Sequence, residues 1–333
     1  MPGVKVTVTV PLSGVGLGND LAELPLGEAV IYRNPAAASD ISMAPGPNAR
    51  VAPDPQSRSR PVARLLLQFI IESADGSAAV ASAVQAAEKL VLPLRLGTDG
   101  QVLLPPSLPW SVALSPGSQV QLLPWLFRGG NQMAERVAVD AAAPMPVTGI
   151  ISCVLDGTDT GHLSQLVALL ASPGLDTFEV PLGLFSGSYY RTRPVDPGVD
   201  LVVALEAMFS EGAESIAYKV AFRAACVLES NGPERYKLFR FIKTAYTHRN
   251  ALVHGGSARK AADWFASNGD QLRGITRRSL LFLIRCLRDG VKLSPEKIDR
   301  WLFASGRMDA EAEAGSGEDS TLAGKCFDVH GLG

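Results

Sequence analysis

The sequence is poor in cysteine and has no long uncharged apolar run. Its cysteines form no Cys-x-x-Cys pair and no cluster with histidine; they are Cys153, Cys226, Cys286 and Cys326. This spacing argues against a disulfide scaffold and a zinc site, and is typical of a reduced, intracellular protein. Apolar stretches such as 63–71 are broken by charge well short of the about 18 residues that a membrane span needs.

The region after Met1 has none of the features of a signal peptide. The strand-like VKVTVTV follows almost at once, with no basic n-region and no cleavage site. Together with the preceding observations, this predicts a cytoplasmic protein with no membrane association, no bound metal and no cofactor.

The composition predicts a mostly globular chain with an uneven charge distribution. Apolar residues make up 47% and charged residues 19% of 333 residues, which suits one large or two ordinary domains. The net charge is only −2, yet residues 234–300 contain 15 Lys and Arg against 6 Asp and Glu. A basic block of this kind can attract polyanions.

Residues 1–150 have the pattern of a β-rich α+β domain. The valines at positions 4, 6, 8 and 10 alternate as in a strand, further strands are predicted at 29–33 and 63–72, and an Ala-rich helix over 77–90. Residues 34–61 contain six prolines among Ala, Ser and Asn, which predicts a mobile loop. The glycines of Gly14-Val-Gly16-Leu-Gly18 lack a P-loop lysine, and Asn19 stands where a third dinucleotide-binding glycine belongs, so we interpret them as a turn.

Helical spacing begins near Asp159 and predicts an all-α bundle over 158–303. Helices are expected from Asp159 and over 182–190, 199–209, 215–228, 234–254, 270–289 and 294–303. Ser215 is a candidate N-cap, and Pro197 and Pro233 suit first turns because the missing N–H costs nothing there. The Glu/Ala/Gly/Ser-rich residues 305–333 predict a disordered tail.

The segment Tyr246–Gly255 (YTHRNALVHG) carries the candidate chemistry. It places Arg249 and His254 in the last turns of a helix, where unpaired carbonyl groups favour cations. A cationic imidazole can donate a proton near neutral pH, the guanidinium of Arg249 can bind phosphate oxygens, and Asn250 adds a neutral donor and acceptor. These residue types suit RNA cleavage without a metal, although a surface ion pair and a helix-capping histidine would give the same spacing.

Helix geometry sets a condition on this pair. Five residues turn an ideal helix through about 500°, so the two side chains point about 140° apart. They would converge on one phosphate only if the helix end unwinds or a second chain contributes groups. This favours a cleft between two symmetry-related copies, and hence a homodimer.

Three blocks in the C-terminal half resemble the Apea-like branch of the HEPN superfamily. They are ALEAMF at Ala204–Phe209, KVAFRAACVL at Lys219–Leu228 and YTHRNALVHG at Tyr246–Gly255, and PLGLFSGSYYRTRPVD looks like the preceding helix and connector. The resemblance covers only this half of the chain. It implies a dimerising helical bundle that often acts as a metal-independent endoribonuclease, in toxin or anti-phage settings. The family signature is Arg, a polar residue and, a few residues on, His, which Arg249, Asn250 and His254 fit.

Several other residues have both a functional and a structural interpretation. Glu206 and Arg223 lie on consecutive predicted helices and are expected to form a structural ion pair. Tyr246 either stacks on an RNA base or packs beside Arg249, and His248 is expected on the solvated surface. A phosphate-tracking surface, or alternatively a merely solvated helix face, is predicted from five basic residues: Arg240, Lys243, Arg273, Arg277 and Arg278.

Two functions follow from the sequence. The first is a dimeric endoribonuclease that leaves 2′,3′-cyclic phosphate and 5′-OH ends, controlled by the N-terminal domain. The second is a non-catalytic nucleotide-binding or protein-interaction module in which the arginine and histidine are structural.

Overall fold

The computed structural model describes residues 4–33, 65–73, 76–98, 102–104, 110–115, 118–122, 153–191, 193, 195–212, 214–253, 257–291 and 293–304. The chain divides into two compact units, Met1–Ala168 and Leu169–Gly333. Strands lie in the first unit and the second is helical, which confirms the predicted α+β class. The expected loop at 34–61 and the expected tail at 305–333 lie outside the described residues.

A six-stranded antiparallel sheet organises the first unit. Its central strand, β1 (Val4–Leu12), pairs with β5 (Leu65–Ser73) on one side and β6 (Trp110–Ser115) on the other. The order is β3-β4-β5-β1-β6-β7, where β3 is Glu23–Leu26, β4 Ala29–Arg33 and β7 Ser118–Leu122. As the alternation predicted, Val6, Val8 and Val10 of β1 are buried on one face.

The glycine-rich segment after β1 turns at its first residue, as predicted, but its middle forms a strand that the prediction missed. Gly14 has φ of 82°, a conformation that glycine adopts without strain. Residues Val15–Leu17 (β2) pair in parallel with Cys153–Leu155 (β8), and all of β2 is buried.

Helix α1 (Gly76–Gly97) extends beyond the predicted end at Leu90 and includes Pro93. The apolar residues after the proline, Leu94 and Leu96, are buried, and burial offsets the backbone hydrogen bond that proline removes. Arg95 is fully buried and donates to Glu88 and to the carbonyl of Val102.

The helices of the C-terminal half follow the predicted order. They are α2 (Gly157–Leu170), α3 (Glu179–Gly187), α4 (Val195–Phe209), α5 (Ile216–Leu228), α6 (Gly232–Val253), α7 (Ala258–Arg288) and α8 (Pro295–Ala304), with short 3-10 turns at Leu175–Phe178 and Ser188–Tyr190. Pro197 and Pro233 lie in first turns as expected. The division into units runs through α2, so most of that helix belongs to the first unit rather than to the bundle.

The predicted side-chain cap at Ser215 is wrong. Ser215 has a left-handed backbone with φ of 52°, and its side chain makes no capping hydrogen bond. A capping hydroxyl reaches the first-turn N–H groups from an extended backbone, which this residue lacks. The backbone carbonyl of Ser215 accepts from Tyr218 and Lys219 instead.

Helix α4 lies at the centre of the bundle and contacts α3, α5, α6 and α7. Its buried face includes Leu201, Leu205 and Phe209. A Cβ atom at Gly198 would overlap the ring of Phe265 on α7, so glycine permits the close approach of these two helices. In the parts of the chain that the structure covers, no helix combines the length and apolar character needed to cross a membrane.

Candidate functional site

The candidate site lies at the C-terminal end of α6. Arg249 and Asn250 occupy its last turns, while His254, the next residue after its last one, Val253, lies outside the described residues. The predicted meeting of Arg249 and His254 at one phosphate therefore stays a prediction. The described part of the site consists of Arg249, Asn250 and the side chains around them.

The guanidinium of Arg249 is loosely held. Its Nη2 lies 3.9 Å from Oε2 of Glu206 on α4, and its Nη1 donates to Oδ1 of Asn250 at 3.2 Å. Its Nε is buried and has no hydrogen-bond partner among the described residues. The side chain remains 25% exposed and lies 5.8 Å from the ring centre of Tyr246. Arg249 thus has donors to spare for another acceptor.

Tyr246 anchors the carboxylate that faces Arg249. Its ring is 4% exposed, and its hydroxyl donates to Oε2 of Glu206 at 2.6 Å. Burial, and then the hydrogen bond to Glu206 and its charge, raise the pKa of Tyr246 well above its usual value. The phenol therefore remains protonated at physiological pH, and its role here is to donate a hydrogen bond rather than to accept a proton.

Of the two roles considered for Tyr246, the structure supports packing beside Arg249. The buried ring has no free face for a base, and its hydroxyl is already committed to Glu206. Base stacking requires an accessible aromatic face. The prediction that Tyr246 itself stacks on RNA is therefore wrong.

The predicted ion pair between Glu206 and Arg223 is also wrong. Arg223 donates in bidentate fashion to Asp299 of α8, at 2.8 and 2.6 Å, and to the carbonyl of Phe209 at 2.6 Å. The two residues face different neighbours, because Glu206 is directed at α6 while Arg223 closes α5 onto α8. Arg223 keeps the structural role expected of it, with a different partner.

The five basic residues do not share one environment. Arg240 and Lys243 are exposed on α6. On α7, Arg273 contacts Asp270 at 2.6 Å and the ring of Tyr189 at 4.8 Å. Arg278 contacts Glu229 and the carbonyl of Leu228, and Arg277 is half-buried. Carboxylates already neutralise Arg273 and Arg278, so the α7 part of the predicted phosphate-tracking surface is weakened.

His248 is not on the solvated surface, contrary to expectation. It is half-buried, and its ring stacks on Trp264 of α7 with a centroid distance of 5.0 Å and an interplanar angle of 18°. This contact helps to join α6 to α7 near the candidate site. Within the described ranges, no group of three or more His, Cys, Asp or Glu side chains is arranged to hold a metal ion.

Sequence reasoning missed the role of Glu206 in this site. Glu206 and Tyr246 are separated by 40 residues, and neither lies in a motif with the other. The signal in the sequence is a carboxylate set among the apolar residues at the C-terminal end of α4, and the sequence alone does not show that it faces Tyr246 and Arg249 rather than Arg223.

Comparison with protein-family models, with curated proteins and with solved structures finds no significant match to this chain.

Proposed function

We propose that this protein is a metal-independent endoribonuclease of the HEPN type. It cuts RNA by attack of a 2′-OH on the adjacent phosphodiester and leaves a 2′,3′-cyclic phosphate and a 5′-OH. Arg249, Asn250 and His254 carry the reaction. The proposal rests on the resemblance of the three sequence blocks and on the state of the Arg249 side chain.

The observation that most directly supports the proposal is that Arg249, at the end of α6, has N–H donors with no acceptor among the described residues. A guanidinium has five N–H donors. Those of Arg223 are directed at a bidentate carboxylate and a carbonyl, and its side chain is 5% exposed. Arg249 has one hydrogen bond within the described residues, a 3.9 Å contact with Glu206 and a quarter of its side chain exposed. A phosphate oxygen is the acceptor that such a group would bind.

The chemistry assigns one task to each group. The 2′ oxygen loses its proton to a base as its bond to phosphorus forms. The bond from phosphorus to the 5′ oxygen then breaks, and His254 donates a proton to that oxygen. Arg249 stabilises the charge on the phosphorane, and Asn250, which accepts from Arg249, orients the guanidinium. The end of α6 favours the cationic form of His254 before it donates.

A homodimer completes this site in the proposal. The side chains of Arg249 and His254 point about 140° apart on an ideal helix, so a second copy of the α6 end would supply the missing group and the base. The resemblance further supports a cytoplasmic toxin or anti-phage role, with the strand-rich unit regulating the helical unit.

The direct test is cleavage of end-labelled RNA in EDTA by the full-length protein and two variants. His254→Ala and Arg249→Gln should each lower the rate by about 100-fold or more, since general acid catalysis and phosphorane stabilisation contribute on that scale. Arg193→Gln is the control. Arg193 is exposed, lies just before α4 and pairs with Asp196 in the first turn of that helix, whereas Glu206 lies in its last turn. Equal rates for wild type and His254→Ala, or cleavage only with added metal, would remove the proposal.

A second function is favoured by the same contacts. Glu206, Tyr246 and Arg249 join α4 to α6 and would stabilise a non-catalytic nucleotide-binding or protein-interaction module. In that case Arg249→Gln changes the free energy of unfolding by about 1 kcal/mol, the scale of a partly exposed ion pair, and the protein has no RNA turnover to lose.

A further inference from the structure

Four aromatic side chains form a continuous cluster on α5 and the N-terminal half of α6. We call this cluster the aromatic patch; its members are Tyr218, Phe222, Tyr236 and Phe239. The rings of Tyr218 and Phe222 are stacked at 5.9 Å, and Tyr218 meets Phe239 edge-on at 5.4 Å. Tyr236 stacks on Phe239 at 6.4 Å within α6, so the contact of Tyr218 with Phe239 joins the rings of the two helices into one cluster.

The patch is open to solvent to an extent unusual for aromatic residues. Tyr218 is 52% and Tyr236 is 61% exposed. The other large hydrophobic residues exposed in the described part of the chain are aliphatic and lie elsewhere: Ile70, Val154, Val180 and Val253. Exposed apolar surface that is contiguous, rather than scattered, marks a contact site.

Basic residues border the patch on α5 and α6. The Nζ of Lys243 lies 5.8 Å from the ring centre of Phe239, and Arg240 and Lys219 are its neighbours along the two helices. Residues 216–253 contain seven Lys and Arg and two Glu. Arg223 is buried against Asp299 and Arg249 lies at the candidate cleavage site, so neither contributes to the patch. One of those glutamates, Glu234, is paired with Lys237 at 2.6 Å. The surface therefore combines accessible rings with excess cations.

We propose that the aromatic patch binds single-stranded RNA, with bases stacked on Tyr218 and Tyr236 and phosphates held by Lys243 and Arg240. Aromatic faces accept any base, and a cationic rim follows the backbone, so the combination suits single strands of no fixed sequence. A protein partner is the main alternative, since protein interfaces are enriched in aromatic residues, but they are depleted in the lysine that borders this patch. A second copy of the chain, docked here about a twofold axis, would bring one basic surface against another.

This site is distinct from the candidate cleavage site. Tyr236 precedes Arg249 by thirteen residues on α6, which places it about 20 Å away along the axis and about 140° around the helix. The choice of RNA over other polyanions rests on the proposed endoribonuclease function. Loss of the patch should raise KM for RNA and leave the kcat of cleavage unchanged.

The test uses a strand that the proposed chemistry cannot cut. A fluorescent, single-stranded 2′-O-methyl RNA of mixed sequence lacks the attacking hydroxyl, and fluorescence anisotropy reports its binding to the full-length protein. Tyr236→Ala and Tyr218→Ala should each weaken binding about five-fold or more, the lower end of what a stacked base contributes. Tyr236→Phe keeps the ring and should bind as wild type does. Lys243→Gln should reduce the slope of log affinity against log salt by about 0.7.

The outcomes that contradict RNA binding at the aromatic patch leave the proposed cleavage activity untested, because the strand used cannot be cut. Val180→Ala, at an exposed residue of α3, is the matched control and should not change binding. No binding of the strand, or equal affinity for wild type and both alanine variants, removes the patch as an RNA site. If light scattering instead shows that Tyr236→Ala turns a dimer into a monomer with RNA affinity unchanged, the patch is a self-association surface. Cleavage of ordinary RNA, measured separately, decides the proposed function.

Discussion

Tyr246 and Arg249 both approach the same oxygen of Glu206. The hydroxyl of Tyr246 donates to Oε2 at 2.6 Å, and Nη2 of Arg249 lies 3.9 Å from that atom. The short hydrogen bond from the phenol fixes the carboxylate between α4 and α6 and leaves Arg249 beyond hydrogen-bond distance. Glu206 therefore provides a negative charge near Arg249 without using up its donors.

Removing the hydroxyl group of Tyr246 should weaken the attachment of α4 to α6. Tyr246→Phe keeps the buried ring and deletes the donor to a partly exposed carboxylate, so the free energy of unfolding should fall by about 1–2 kcal/mol. Urea denaturation followed by circular dichroism measures it. Tyr218→Phe is the control, since Tyr218 is half-exposed and should change the free energy by no more than a few tenths of a kcal/mol. Equal losses for the two variants would contradict the role of the Tyr246 hydroxyl.

The ionisation of Tyr246 should require a higher pH in the folded protein than in the denatured chain. Its pKa is raised above the usual 10.0, first by burial and then by Glu206. Because the pKa of Tyr246 is higher in the folded protein than in the unfolded chain, its hydrogen bond contributes its full stability below pH 10.0, the unfolded value. This contribution is lost as the pH rises from there through the folded pKa. The difference in absorbance at 295 nm between folded wild type and folded Tyr246→Phe isolates this residue, and it should appear only well above pH 10.0.

The denatured proteins give the reference for this comparison. There the difference between wild type and Tyr246→Phe should appear near the usual pKa of 10.0. If the folded proteins show the difference at the same pH, Tyr246 is not held as the structure places it.

The contact of Gly198 with Phe265 should make that glycine intolerant of even one methyl group. Gly198→Ala forces the ring or the helix to shift, and overpacking of this kind costs about 1–3 kcal/mol. Gly274→Ala on α7 is the matched control, because nothing lies near a Cβ there and alanine favours a helix by up to about 1 kcal/mol. Thermal unfolding should thus give a lower Tm for Gly198→Ala and an equal or higher Tm for Gly274→Ala.

The helices were predictable from the sequence because their apolar periodicity is strong, but α7 shows where such reasoning fails. Its first twelve residues, 258–269, include Asn268 and Gly269, which are typical helix breakers, so the predicted start was Asp270. Ala261, Phe265 and Leu272 continue the buried face across this segment. Their burial outweighs the penalty of about 1 kcal/mol for a helical glycine.

The site was less predictable than the helices, because its contacts join residues far apart in sequence. The end of α6 could be identified as a candidate from Arg249, Asn250 and His254 only together with the resemblance of the three sequence blocks. Which carboxylate faced Arg249 and which faced Arg223 depended on how α4, α6 and α8 pack. Arg223 and Asp299 are 76 residues apart, and no local pattern joins them.

The two arginine contacts should differ sharply in coupling energy, and this difference tests the premise of the proposed function. A double-mutant cycle with Arg249→Gln and Glu206→Gln should give a coupling of about 0.5 kcal/mol or less, as expected for a long, partly exposed ion pair. The same cycle with Arg223→Gln and Asp299→Asn should give about 2 kcal/mol, because that pair is bidentate and Arg223 is buried. Chemical denaturation of the four variants and two doubles supplies the free energies. If the Arg249 cycle equals the Arg223 cycle, Arg249 is fully engaged in holding α4 to α6, it has no donors to offer a phosphate, and the non-catalytic module becomes the better account of the site.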